Sequence, residues 1–150
     1  MSKIIINSIM ENPSLCDGYG YRVVLFLQGC DIRCKGCQNE TTWDINKGIS
    51  FDTKDLAKLL REKCLNKKLT ISGGEPLLQT TAVIDLCKEL VDFNLCLYTG
   101  HQLNDVPQEL LGYLKYIKVG PFIEEQKTSL KPFVGSKNQE FIEVNKNEAK

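Results

Sequence analysis

The sequence predicts an α/β chain: a partial, open β/α barrel, its curved and mostly parallel sheet built from four to six strands with helices outside. Three observations lead there. Short β-branched and aromatic runs alternate with segments whose apolar residues recur at helical spacing, the pattern of βαβ units. The chain has 150 residues, one domain by size, whereas a closed eight-unit barrel needs about 250. The glycine- and cysteine-bearing stretches 29–37, 73–76, 99–100 and 120–121 each follow a strand. Sites in such sheets form at these carboxyl ends.

Residues 3–9 read as a short strand, followed by a loop with Pro13, Gly18 and Gly20. Residues 21–28 are an apolar, β-branched run, short enough for a buried strand. Leu56, Leu59, Leu60 and Cys64 mark one face of a helix over 53–64, with Asp52 or Thr53 as its N-cap and Asp55 in its first turn. A strand over 69–72 runs into Gly73-Gly-Glu-Pro76. Val83, Leu86, Cys87 and Leu90 place a helix over 79–92, and strand 95–98 ends at Thr99-Gly100. A short helix over 107–114, a strand over 116–119 and a last strand over 141–144 complete the series. The polar tail 145–150 is expected to fray.

Composition narrows the function. Nineteen basic and nineteen acidic residues give a formal net charge of +0, which argues against a general nucleic-acid binder. No apolar run reaches the roughly 20 residues of a membrane span, and the start of the chain meets polar Asn7 too early for a signal peptide. The expected location is the cytoplasm. Seven cysteines in a reducing compartment do not suggest a disulfide framework. Cys64, Cys87 and Cys96 lie in apolar helix or strand patterns and read as packing residues.

The informative cysteines are Cys30-Asp-Ile-Arg-Cys34-Lys-Gly-Cys37. Thiolates are soft ligands that suit iron–sulfur clusters or zinc. A closed zinc site or an ordinary cluster takes four protein ligands. Three thiolates can hold three corners of a cubane and leave one iron open to bind and reduce something. Spacing alone leaves open a zinc site completed by Cys16 or His101. Gly73-Gly-Glu-Pro76 adds paired glycines, which let backbone approach a ligand closely. By itself it is also an ordinary strand-to-helix turn.

Together these motifs resemble the radical S-adenosylmethionine (SAM) superfamily. More narrowly, the chain resembles the activating proteins of anaerobic ribonucleoside-triphosphate reductase. The narrower resemblance rests on Phe26-Leu-Gln-Gly-Cys30, Gly36-Cys37-Gln-Asn39 with Thr41-Thr-Trp43, Thr70-Ile-Ser-Gly-Gly-Glu-Pro-Leu77, Tyr98-Thr-Gly100, Val119-Gly-Pro-Phe122 and Gly135-Ser-Lys-Asn-Gln139, in that order. It covers about residues 3–144. Val119 stands where many members carry an acidic residue, and Lys35 replaces their usual proline.

The resemblance implies a [4Fe–4S] cluster held by Cys30, Cys34 and Cys37, with the amino and carboxylate groups of SAM on the fourth iron. Ser72, Gly73 and Gly74 would bind that amino group from a strand edge, with Glu75 fixing the turn or helping directly. Thr99 and Gly100 would lie near the adenosyl group. Reductive cleavage of SAM would yield a 5′-deoxyadenosyl radical that takes a hydrogen from a glycine of the partner. That partner would be a glycyl radical enzyme, the large subunit of the anaerobic reductase, and the electron would come from a donor such as flavodoxin. No residue is expected to be catalytic beyond cluster and SAM. Two other readings stay open: an activase of another glycyl radical enzyme or a small-molecule radical SAM enzyme, and a non-catalytic metal or electron-transfer module. Alternation sends one of Lys118 and Val119 to the site face, without deciding which. His101 reads as solvated or capping, Trp43 as packing, Asn66-Lys-Lys68 as a solvated helix end, and Asn138-Gln139 as a turn or a site neighbour.

Overall fold

The computed structural model describes residues 3–14, 21–29, 48–130, 133–134 and 136–144. Cys16, Cys30, Cys34, Cys37, Trp43 and the tail 145–150 lie outside the described residues. In chain order the elements are β1 (Lys3–Ser14), β2 (Arg22–Leu27), β3 (Ile49–Asp52), α1 (Thr53–Lys63), β4 (Lys68–Gly73), α2 (Thr80–Glu89), β5 (Asn94–Tyr98), α3 (Gln108–Leu111), β6 (Tyr116–Val119) and β7 (Glu140–Glu143).

One seven-stranded sheet runs in the order β3-β1-β2-β4-β5-β6-β7. Its centre, β2-β4-β5-β6, is parallel. Its flanks are antiparallel: β1 on β2, β3 on β1 and β7 on β6. The two end strands, β3 and β7, are not neighbours, so the sheet stays open. The expected four to six strands become seven because Ile49–Asp52, too short to show a period, pairs with β1 from Lys3↔Asp52 to Ile6↔Ile49.

Burial separates the two faces of the sheet. Val23, Leu25, Leu27, Leu69, Ile71, Leu95, Leu97, Ile117 and Val119 join Leu56, Leu60, Val83, Leu86 and Leu110 of the helices in one core. Alternation then turns Thr70, Ser72, Cys96, Tyr98, Tyr116 and Lys118 to the opposite face. Contacts on that face agree: Phe141 meets Tyr116 at 5.6 Å and Tyr98 at 6.4 Å between ring centroids, and Lys118 Nζ lies 4.1 Å from the Tyr98 ring centre. Lys118 therefore faces away from the helices, and Val119 packs beneath them.

The helices start and stop for local reasons. Asp52 Oδ1 accepts from the Lys54 N–H at 2.9 Å and caps α1. The helix expected over 79–92 is α2, Thr80–Glu89, and a 3-10 turn, Pro76–Gln79, leads into it. Pro76 opens the turn, and the Glu75 side chain caps it at Leu77. The helix expected over 107–114 shrinks to α3. The bend between the ends of α1 and α2 is fastened by Asp92, which binds Arg61 at 2.7 Å and Lys67 at 2.9 Å.

Arg22 fills the amino-terminal end of the sheet and is fully buried. Its Nε donates to Thr70 Oγ1, Nη1 to Asn94 Oδ1, and Nη2 to the carbonyls of Leu69 and Asn94, at 2.7–2.9 Å. A guanidinium can be buried because its fork of donors reaches several acceptors at once.

Two outcomes follow. Arg22→Ala leaves buried acceptors without their donor and is expected to cost about 3 kcal/mol or more in urea unfolding; a loss below about 1 kcal/mol would contradict this role. Asp92 is held well below the usual carboxylate range, chiefly by its hydrogen bond from Arg61 and then that from Lys67. A depressed folded pKa means stabilisation that is present above the unfolded value of about 4 and lost as pH falls through the folded one. Asp92→Asn should therefore lower Tm at pH 7, and the gap to wild type should close below pH of about 4 in a melting series.

Candidate functional site

The parallel register of β2 and β4 sets Phe26 against Ser72 and Leu27 against Gly73. Gly73 has φ +104, and a side-chain carbon there would run into the backbone of Leu27. Only glycine permits this turn. Beyond it, the Gly74 N–H donates to Leu27 O at 3.1 Å and the Glu75 N–H to Gly29 O at 2.7 Å. The turn after β4 is thus bonded to the residue that immediately precedes Cys30. β4 lies between β2 and β5, but its ladder to β5 ends at Ile71↔Leu97 while its ladder to β2 continues to Gly73. The N–H groups of Gly74 and Glu75 are used in holding β2.

Glu75 is 1% exposed. Its Oε2 accepts from Thr99 Oγ1 at 2.6 Å and from the Leu77 N–H at 2.9 Å; Oε1 accepts from the Gly100 N–H at 2.7 Å. This one carboxylate joins the loops after β4 and β5 and brings together four of the six predicted cofactor contacts: Gly74 and Glu75 in one loop, Thr99 and Gly100 in the other. Ser72 and Gly73 end β4 beside them.

The junction extends to β6. The Thr99 N–H donates to Lys118 O, and Thr99 Oγ1 accepts from the His101 N–H. His101 O accepts from the Gly120 N–H at 2.9 Å. His101 lies half-buried with Nδ1 3.8 Å from Asp105 Oδ2. Its backbone links two site loops, a role its side chain did not suggest. Gln139, nearly buried, donates from Nε2 to Gly120 O at 3.0 Å and accepts from the Ser136 N–H; Asn138 donates to Pro121 O at 2.8 Å. Asn138-Gln139 is accordingly a turn that grips the end of β6.

Three residues that sequence reasoning passed over lie on the β1 side. Gln28 is buried, Gln79 bonds to β1, and Gly48 packs on both Ile5 and Gln28. Their signal was weak: a glutamine before the cysteine loop and another after Gly73-Gly-Glu-Pro76.

Among the described residues, no three His, Cys, Asp or Glu side chains gather as a metal site. Cys64, Cys87 and Cys96 are buried and separate from the loops above. Burial pushes the Cys87 thiol up to about 12, and burial also raises that of Cys64, whose Sγ donates to Lys68 O. These are packing thiols, as expected. The candidate ligands are Cys30, Cys34 and Cys37, outside the described residues, in a stretch that leaves β2 at Gly29.

The family described as "4Fe-4S single cluster domain" matches residues 16–142. The anaerobic ribonucleoside-triphosphate reductase-activating protein of Vibrio cholerae is 34% identical over 136 residues, covering 82% of this chain and 88% of that protein. The pyruvate formate-lyase-activating enzyme of Clostridium pasteurianum is 45% identical over 92 residues, 56% of this chain and 38% of that enzyme. The crystal structure of QueE from Escherichia coli superposes with a TM-score of 0.56 over 77% of this chain and 69% of that one, at 18% identity. It shares the open α/β fold.

Glu75→Gln puts an amide group where three donors converge, so one N–H must lose its acceptor. We expect a stability loss of about 2–3 kcal/mol and faster hydrogen exchange at the Gly100 or the Leu77 amide, whichever faces the new NH2 group. Unchanged protection at both would mean that the carboxylate does not hold the two loops.

Proposed function

This chain belongs to the 4Fe–4S single cluster domain family and to the anaerobic ribonucleoside-triphosphate reductase-activating proteins within it, and from that premise we propose that it generates a glycyl radical on the large subunit of such a reductase. The observation that carries the reading is the junction at Gly29. The three-cysteine stretch starts one residue beyond a backbone atom that the Gly73-Gly-Glu-Pro76 turn holds at 2.7 Å. The donor set fits the group. Three thiols in eight residues are soft ligands for iron and leave one position for a further ligand.

When bound, the [4Fe–4S] cluster and SAM supply one electron and the carbon-centred radical that abstracts hydrogen. The protein supplies position. Cys30, Cys34 and Cys37 are the cluster ligands in this reading. Ser72, Gly73 and Gly74, at the end of β4, would hold the methionyl amino group of SAM. Glu75 spends its carboxylate on the fold, holding Thr99 and Gly100 where the adenosyl group would lie. Lys118, on the face opposite the helices, adds a positive charge to the same end of the sheet. An open sheet suits a macromolecular substrate, because it leaves a side through which a glycine-bearing loop can approach.

We read residues 1–150 as one domain working in the cytoplasm with a one-electron donor such as flavodoxin. No helix among the described residues is long and apolar enough to cross a membrane. The 45% identity to a pyruvate formate-lyase-activating enzyme over 92 residues favours a second reading, in which the partner is a different glycyl radical enzyme.

Anaerobic reconstitution with iron and sulfide, followed by SAM and dithionite, should yield 5′-deoxyadenosine, and Cys30→Ala, Cys34→Ala and Cys37→Ala should abolish it. With an anaerobic reductase large subunit present, a glycyl radical doublet should appear in electron paramagnetic resonance. A doublet on pyruvate formate-lyase alone would select the second reading. A loaded protein that yields no 5′-deoxyadenosine with either partner would leave a non-catalytic module.

A further inference from the structure

The described chain stops at Gly29 and resumes at Gly48; Gly29 follows Gln28 directly and Gly48 packs on it, and a polar brace holds Gln28 in place. Gln79, at the end of the turn after β4, presents its side-chain amide to β1 as a strand would: Oε1 accepts from the Ile5 N–H at 2.8 Å, and Nε2 donates to Ile5 O at 2.9 Å. The same Nε2 donates to Gln28 O at 3.0 Å. The Gln28 N–H donates to Ile5 O at 3.1 Å, and Gln28 Oε1 accepts from Asn7 Nδ2 at 3.0 Å. Gln28 is therefore held through its backbone N–H, its carbonyl and its side chain, and it is 1% exposed.

Gly48 closes the other end. A side-chain carbon on Gly48 would lie 2.7 Å from Gln28 Cβ and closer still to Ile5 Cγ2. The backbone at 48 thus rests directly on Gln28 and Ile5. Gly29 is held independently, since its carbonyl accepts from Glu75. Gln28 touches both ends of the stretch, and Gln79 ties Gln28 to the turn after β4.

We propose that Gln28, Gln79 and Gly48 are positioning residues that fix where the chain leaves the sheet before the three cysteines and where it rejoins the sheet after them, so that retention of a bound cluster depends on them. The inference rests on the cluster reading above and adds to it: retention of iron should depend on residues that touch no iron. Groups that hold ligands from behind often change metal affinity by about 10–100-fold. Local opening at these points needs no global unfolding, which separates this role from a general contribution to stability.

The test is the rate at which the anaerobically reconstituted protein loses iron to a ferrous chelator, measured where every variant remains folded by circular dichroism. Gln79→Met keeps length and apolar bulk but removes all three hydrogen bonds. It should release iron about tenfold faster than wild type. Arg22→Ala, which destabilises the sheet from its opposite end, should release iron at the wild-type rate. Should Gln79→Met fail to fold, Asn7→Ala removes the bond to the Gln28 side chain, together with an exposed bond from Ser8 Oγ, and should show the same change in smaller measure. Wild-type release from the folded brace variant overturns the proposal. So does a ranking in which Arg22→Ala loses iron fastest, since release would then follow global stability. A wild-type chain that takes up no iron overturns the cluster reading and the brace together.

Discussion

The meeting of β2 and β4 is the constraint on which the rest of the site depends. Leu27 and Gly73 pair so closely that no side chain fits at Gly73. Its absence lets β4 turn while Gly74 and Glu75 still bond back to Leu27 and Gly29. A side chain at Gly73 would push these strand ends apart. Glu75 would then lose its place between Thr99 and Gly100, and Gly29 its donor. The stretch bearing the cysteines would leave the sheet from a different point.

Polar groups mark both ends of the sheet, and the apolar core joins them. At the amino end Arg22 answers the carbonyls of Leu69 and Asn94. At the carboxyl end Glu75 answers the N–H groups of Leu77 and Gly100. The chemistry is complementary: a strand or helix start offers donors to an anion, and exposed carbonyls offer acceptors to a cation. Each buried group disperses over several hydrogen bonds. The difference lies in location. Arg22 sits at the amino-terminal end of the sheet, whereas Glu75 ties together the loops after β4 and β5 at the carboxyl end.

Much of this was legible in the pattern of residues. The central strands, the helices over 53–63 and 80–89, and the loops that follow β4 and β5 at the carboxyl ends all followed from apolar period and glycine placement. The burial of Cys64, Cys87 and Cys96 followed from the apolar patterns around them. Other features left no trace of that kind. Strand β3 is four residues long and only partly buried, so its pairing with β1 has no periodic signature. The shared carboxylate of Glu75 joins residues 24 and 25 positions apart, and the Gln79 amide reaches 74 positions back to Ile5. Hydrogen bonds at such separations are invisible to any local window.

The amino-acid sequence by itself determined the class of fold, the three candidate thiolates and the turn that follows β4, because period, spacing and glycine act over a few neighbouring residues. Only the tertiary structure decided that Lys118 faces away from the helices and Val119 toward them. It also decided that Glu75 serves the fold rather than standing free, and that Gln28 and Gly48 meet. Those outcomes depend on strand register, which is chosen by the packing of the whole sheet against its helices and not by any one segment.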